Sequence, residues 1–122
     1  MESSEQVREH FRHPRHAGVF PATEPGVITV RVGEPLRGGV IQLQLKIAEQ
    51  RIIAVRQQVY GSAYLIAAAS WLADWLTAKS LAEARQFDKR QLEDALQLPP
   101  SRLHCAVLAE QALCSALPNL DY

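Results

Sequence analysis

The sequence has few cysteines, no net charge and no long hydrophobic run. Its 122 residues include only two cysteines, Cys105 and Cys114, both within one predicted helix. They cannot form a disulfide framework, which indicates a reducing compartment. Basic and acidic residues number 13 each, so no overall field attracts nucleic acid or an anionic membrane. We therefore expect neither a nucleic acid nor a membrane as a partner.

Several functional signatures are also absent. The longest uncharged apolar stretch, Gly61–Ala73, ends at Asp74 and is too short to span a bilayer. The first residues, Met1–Glu5, lack the basic start and apolar run of a signal peptide. No GxGxxG loop, P-loop or carboxylate pair at catalytic spacing supports a nucleotide enzyme or a hydrolase. We expect a cytoplasmic protein whose residues 1–122 form one domain with a real core.

The hydrophobic pattern predicts an α+β fold. A short helix over about residues 3–11 is followed by a Pro/Gly-rich connector, and apolar residues then alternate with polar ones from Ile28 to Val32 and from Ile41 to Ile47. A further strand covers residues 53–59, and from Ser62 onward the pattern is helical. Ser80 with Glu83, and Asp88 with Gln91, mark the starts of two short helices. This order predicts a small antiparallel sheet of about three strands with helices packed on one face.

Three distant segments carry the functional signal: Gly33–Gly39, Tyr60–Ala63 and Leu98–Cys105. They resemble the three ligand loops of the iron–sulfur cluster scaffold family known as IscU or NifU N-terminal domain. The resemblance extends from about Gln6 to Leu117 and includes Val7–Phe20, Lys79–Ala84 and Leu108–Glu110. It implies the same α+β fold, with an iron–sulfur cluster or zinc as the metal that the family holds.

Most of the implied ligands are replaced in this sequence. Arg37 stands where the family has its first cysteine, Gly39 where it has an aspartate, and Ser62 where it has its second cysteine. Only His104 and Cys105 survive as residual metal ligands. Because a cluster or a zinc ion needs roughly four ligands, mainly thiolates, we expect no stable cofactor here. Restoring the family residues at the three former ligand positions should then restore metal binding.

The replacements themselves have two readings. A guanidinium only donates hydrogen bonds and repels a cation, so Arg37 either fills the former metal site, pairing with Cys105 or a carboxylate, or points into water. Ser62 is placed at the start of a helix, where serine is a preferred N-cap. A structural role is therefore expected for Ser62.

The two cysteines are predicted to differ in reactivity. Cys105 lies near a helix N-terminus, follows His104 and is close to Arg102, features that stabilise a thiolate. In the family the matching cysteine can receive persulfide sulfur, so Cys105 is a candidate sulfur acceptor; the alternative is an inert packing residue. Cys114 falls on the stripe Leu103, Val107 and Leu117 and about 13.5 Å further along the helix. It is predicted to be buried and inert.

Three functional hypotheses follow from the resemblance. The first is a scaffold-like partner or regulator of cluster assembly that binds a cysteine desulfurase without holding a cluster. The second is a sulfur-transfer protein that carries a persulfide on Cys105. The third is a residual scaffold that shares His104 and Cys105 between two subunits.

Three further features of the sequence bear on partners and packing. The segment Leu98, Pro99, Pro100 resembles the family's binding site for an Hsp70-type chaperone, although Ser101 and Arg102 replace its last two residues. The histidines His10, His13 and His16 and the arginines beside them form a basic patch. We interpret this patch as a solvated or partner-facing surface, because Pro14 prevents the continuous helix that a metal site would need. Trp71 and Trp75 are predicted to pack between helices.

Overall fold

The computed structural model describes residues 3–117, which form a three-stranded sheet and five α-helices. The elements in chain order are α1 Glu5–Arg12, β1 Val27–Glu34, β2 Gly39–Ala48, β3 Arg51–Gly61, α2 Ala63–Leu76, α3 Leu81–Ala84, α4 Lys89–Leu96, the 3₁₀ turn Pro100–Arg102 and α5 Leu103–Ala116. This order confirms the predicted α+β class. No helix within residues 3–117 is long and apolar enough to cross a membrane.

The sheet is antiparallel, with β2 between β1 and β3. Ile41, Leu43 and Leu45 are buried on its inner face, while the intervening residues of β2 are polar. Helix α2 contacts β3 and helix α5 contacts β1 and β2, so the core lies between the inner face and the helices. The two-residue period of the strands therefore positions the core.

Side chains cap the helices where the sequence predicts. Ser80 and Glu83 form a capping box that starts α3, and Asp88 and Gln91 form another that starts α4. Each box satisfies backbone N–H groups that have no partner inside the helix. These local hydrogen bonds explain why the helix starts could be read from the sequence.

The two tryptophans pack between helices, as predicted. The ring centroid of Phe87 lies 5.3 Å from that of Trp75 and 6.5 Å from that of Trp71. Edge-on and tilted arrangements of this kind are favourable for aromatic rings. The cluster attaches the short segment between α3 and α4 to α2.

The N-terminal histidines do not form the free basic surface that we predicted. The Nδ1 atom of His10 lies 2.7 Å from the Oγ of buried Ser70, which also accepts the backbone N–H of Arg15 at 2.8 Å. The Nε2 atom of His16 lies 3.3 Å from a carboxylate oxygen of Asp74. A buried hydroxyl needs hydrogen-bond partners, and these residues supply them. Only His13 remains exposed.

His10 is expected to make folding sensitive to acid. Burial, together with the charge of Arg15, lowers the pKa of His10 below 6.5, against weaker opposing effects of Asp74 and Glu9. The unfolded chain therefore binds the proton more readily, so this stability is present above about pH 6.5 and is lost as pH falls. Urea titrations at about pH 8 and about pH 5 should show a larger loss for the wild type than for His10→Gln.

The exposed His13 supplies the matched control, because His13→Gln should retain the wild-type dependence on pH. If His10→Gln and the wild type lost the same free energy of unfolding between the two pH values, His10 would not be the sensitive group.

Candidate functional site

The three segments that carry the family resemblance meet at one end of the molecule. Gly39 pairs with Gly61 across β2 and β3. A Cβ atom built on Gly38 would lie 3.7 Å from the Cδ2 of His104. The Ser62 hydroxyl is one of the groups that act on the pKa of the Cys105 thiol, against the effect of burial. The fold thus brings together the loop that precedes β2, the start of α2 and the start of α5.

His104 and Cys105 lie side by side in the first turn of α5. The Nε2 atom of His104 is 3.7 Å from the Sγ of Cys105. Their side chains differ in exposure, since His104 is exposed while Cys105 is completely buried. The two surviving ligands therefore share a location, but only the imidazole faces solvent.

The predicted activation of Cys105 is wrong. Burial raises the pKa of the Cys105 thiol, although the charge of Arg102 and the hydrogen bond from Ser62 act in the opposite direction. The free-energy cost of removing a thiolate from water exceeds the stabilisation that these neighbours provide. Cys105 therefore favours the neutral thiol and is inaccessible to large reagents.

The prediction for Cys114 is also wrong, because its side chain is exposed. Leu103 and Val107, which were expected to bury with it, are 37% and 41% exposed. The buried face of α5 consists instead of Cys105, Ala106, Ala109, Ala112, Leu113 and Ala116. Small residues on this face let the helix approach the sheet closely, so the larger ones are left outside.

Arg37 points into water. Its side chain is 81% exposed, and its Nε lies 3.7 Å from a carboxylate oxygen of Glu34. Of the two readings of this residue, the structure supports the solvent-facing one. The pairing partner is the carboxylate of Glu34 and not the thiol of Cys105.

Gly39 has no room for a side chain. Its φ is +119°, and a Cβ atom would lie 2.3 Å from the carbonyl oxygen of Tyr60 and 2.7 Å from the Cδ2 of Leu65. The expectation that an aspartate here would restore a metal ligand is therefore wrong for this backbone. The reason is steric, since the close atom is main chain and cannot move aside as a side chain would.

Ser62 is the N-cap of α2, as predicted. Its Oγ accepts the backbone N–H of Leu65 at 3.2 Å. The same hydroxyl opposes the effect of burial on the pKa of Cys105. Ser62 therefore starts α2 and also influences the buried thiol.

The donors present do not fit a cluster held by one chain. His104 and Cys105 supply two ligands, while the first cysteine position holds Arg37, whose guanidinium points outward. Across the described part of the chain, residues 3–117, no three or more His, Cys, Asp or Glu side chains are grouped to hold a metal ion. A cluster with four protein ligands would need donors from another molecule.

Leu98 and Pro99 lie between α4 and the 3₁₀ turn, and Pro100 is the first residue of that turn. Leu98 packs partly against the core, whereas Pro100 is exposed. The carbonyl of Pro99 accepts the backbone N–H of Arg102 at 2.8 Å. Chaperone binding by this segment stays a prediction.

One contact of the site was missed in the sequence. The guanidinium of Arg102 stacks on the ring of Tyr64, 4.6 Å from its centroid. This cation–π contact connects the start of α5 to the start of α2. The two residues lie far apart in sequence, and no local pattern signals their contact.

The fold and the three converging loops define a scaffold-type domain for iron–sulfur cluster assembly. Residues 2–121 match the family described as the NifU-like N-terminal domain, and this chain belongs to that family. It is 38% identical to the iron–sulfur cluster assembly scaffold protein IscU of Azotobacter vinelandii, covering 100% of this chain and 96% of that protein. It is 36% identical to IscU of Escherichia coli K12, covering 98% and 94%.

A solved structure supports the fold independently. The crystal structure of a SUF-system protein from Fervidobacterium islandicum AW-1 matches with a TM-score of 0.72 at 16% identity. The match covers 94% of this chain and 96% of that chain. At this identity the likeness concerns the fold alone.

Proposed function

We propose that this protein acts in iron–sulfur cluster assembly as a partner or regulator that binds a cysteine desulfurase without itself holding a stable cluster. The observation that carries the proposal is the combination of a complete family fold with an altered ligand set. The three loops converge, yet Arg37 faces water and Gly39 lacks space for a side chain. Family membership supports the pathway, and the altered site supports the regulatory role.

A surface suited to a partner lies beside these loops. Leu36 is 97% exposed in the turn between β1 and β2, and Leu103 and Val107 are exposed one helical turn apart on α5. We call these three residues the loop-end patch. Gly38 of the same turn lies beside His104 at the start of α5, which brings the Leu36 loop to the end of the helix that carries Leu103. Exposed apolar groups are typical of protein–protein contacts, and this patch would supply the anchors for the desulfurase.

The sulfur-carrier alternative has less support. A persulfide acceptor must attack as a thiolate, but burial raises the pKa of Cys105 and covers its sulfur. The residual-scaffold alternative would require two chains to bring their His104 and Cys105 pairs together. Since Cys105 is completely buried, such sharing would require the start of α5 to open.

The test is a titration of the protein with a cysteine desulfurase in the presence of cysteine and ferrous iron. Both binding and visible absorption are recorded. Saturable binding is expected without the visible absorption of a cluster on this chain. Leu36→Ser should weaken binding by about tenfold, because apolar anchors dominate interfaces. Cys105→Ala should leave the affinity within about twofold, since one small buried side chain contributes little to an interface.

Arg90→Gln is a suitable control, since Arg90 lies on α4 and pairs with Asp88 away from the loop-end patch. Absence of binding to a desulfurase would remove the proposal. Strong visible absorption from a cluster bound to the isolated chain would instead favour a scaffold function.

A further inference from the structure

A groove of about 440 Å³ lies at the outer edge of β3. Connector residues that include Pro14 and Gly18 form one wall, and outer-face side chains of the sheet form the other. The lining includes Val40 and Ile66 as apolar floor. None of the former ligand positions lines it, although Tyr60 belongs to one of the three converging segments, so the groove adjoins the site described above without including its ligand positions.

The backbone of β3 is open along this groove. The N–H of Gln57 donates to the carbonyl of His16 at 2.9 Å, and the carbonyl of Gln57 accepts the N–H of Gly18 at 3.0 Å. Because strand groups face the same edge at every second residue, the N–H and C=O of Val59 point the same way. Among residues 3–117, no backbone group is hydrogen-bonded to them on that edge.

Other parts of this edge are covered by the chain itself, and the carbonyl of Val55, on the same edge, accepts a hydrogen bond from the guanidinium of Arg56 at 2.7 Å. Near the start of β3, Ile52 exchanges backbone hydrogen bonds with Lys79 and Ala78 at 2.8 and 3.0 Å. The connector covers Gln57 further along. Natural proteins usually protect sheet edges, and here the described chain leaves a gap at Val59, where the groove is.

The groove also carries an uncompensated charge. Arg31, Gln42 and Gln58 are cross-strand neighbours on the outer face, and all three line the groove. Arg31 makes no ion pair with any described residue, and no acidic side chain lines the groove. Gln42 lies between Arg31 on β1 and Gln58 on β3, so one guanidinium and two carboxamides form a row across the outer face. Such a row is suited to a carboxylate.

We infer that this groove binds an extended acidic segment of a partner protein, which adds as a strand beside Val59 and extends an acidic side chain across the outer face of the sheet toward Arg31. The open N–H and C=O supply main-chain hydrogen bonds, which give affinity in strand addition. The charge of Arg31 supplies the preference for an acidic side chain. Tyr60, 66% exposed at the rim, adds an aromatic surface for the segment to cover.

The test uses a set of soluble, fluorescein-labelled heptapeptides that alternate Val and Thr and place one Glu at each position in turn. Matched peptides carry Gln in place of Glu. At least one acidic peptide is expected to bind about tenfold more tightly than its Gln counterpart, the range of a charge-assisted hydrogen bond. Amide NMR shifts should move at Val59 and Gly18.

Two variants separate charge from backbone. Arg31→Gln should remove the preference for Glu while retaining weak binding of both peptides. Val59→Pro removes the open N–H without removing a bond to β2, and should weaken acidic and neutral peptides alike. Arg12→Gln, at an exposed arginine on α1, should bind as the wild type does.

The inference is overturned if no peptide binds, if Arg31→Gln keeps the preference for Glu, or if the shifts fall away from Val59. Circular dichroism establishes whether Val59→Pro is folded. If it is not, the comparison of Glu and Gln peptides on Arg31→Gln tests the inference alone. A concentration-dependent dimer that the acidic peptide dissociates would assign the groove to a second copy of the chain and would overturn the proposed partner.

Discussion

Gly39→Ala is expected to lower the free energy of unfolding by about 3–5 kcal/mol, a large loss for a single methyl group. The φ of Gly39 is +119°, a region that side-chain-bearing residues rarely adopt. The added Cβ would also lie 2.3 Å from the carbonyl oxygen of Tyr60. Both the strain and the clash must be relieved by moving β2 against β3. Urea unfolding followed by circular dichroism measures the loss.

Gly18 offers a control that separates the two causes. Its φ is +126°, but a Cβ there would meet no atom within 4 Å. Gly18→Ala therefore adds only backbone strain, and a loss of about 1–2 kcal/mol is expected. Equal losses at the two positions would show that the clash at Gly39 relaxes at no cost.

The glycine at the former aspartate position is tightly packed. Gly61, opposite Gly39, is equally close to the Leu65 side chain, with a built Cβ 2.7 Å from its Cδ2. Two facing glycines and Leu65 thus pack where the family resemblance places an aspartate. Regaining that carboxylate would require the main chain to move away from the Tyr60 carbonyl oxygen and the Leu65 side chain to make room, so the replacement is embedded in the packing of the loop.

The fold was predictable because its signals are local. Alternation in β2 and the capping residues Ser62, Ser80 and Asp88 each act within a few positions of the chain. A strand exposes its inner face at every second residue, and a cap satisfies the N–H groups of the next turn. Such rules need no knowledge of distant contacts.

The orientation of α5 was not predictable in the same way. Alanines and larger apolar residues occur on several sides of this helix, so its sequence does not single out one buried face. The large residues Leu103 and Val107 appeared to be the natural core side. In the fold, however, the small face that includes Cys105 and Ala109 packs inward. That choice depends on the space between α5 and the sheet, a tertiary property.

The N-terminal segment shows the same limit. Its histidines were read as a surface patch because their partners, Ser70 and Asp74, belong to α2. A polar residue in the middle of a long apolar helix is a signal that a partner is needed. The sequence does not identify which distant side chain provides it.

The two thiols are expected to differ by at least about 100-fold in labelling rate. Cys114 is exposed and should react with a bulky disulfide reagent near neutral pH at the rate of an ordinary thiol. Cys105 is completely buried, and burial raises its pKa. It should react only as fast as the start of α5 opens, since the thiolate is the reacting form.

Single variants assign the two phases. Cys114→Ser should remove the fast phase, while Cys105→Ala should leave it intact, and urea should release the slow thiol in the wild type. Arg37→Ala should not change either rate, because that guanidinium pairs with Glu34 and not with Cys105. Fast labelling of Cys105 in the folded Cys114→Ser variant would show that the buried thiol is accessible and activated. Such a result would favour the persulfide carrier over the regulator as the function of this domain.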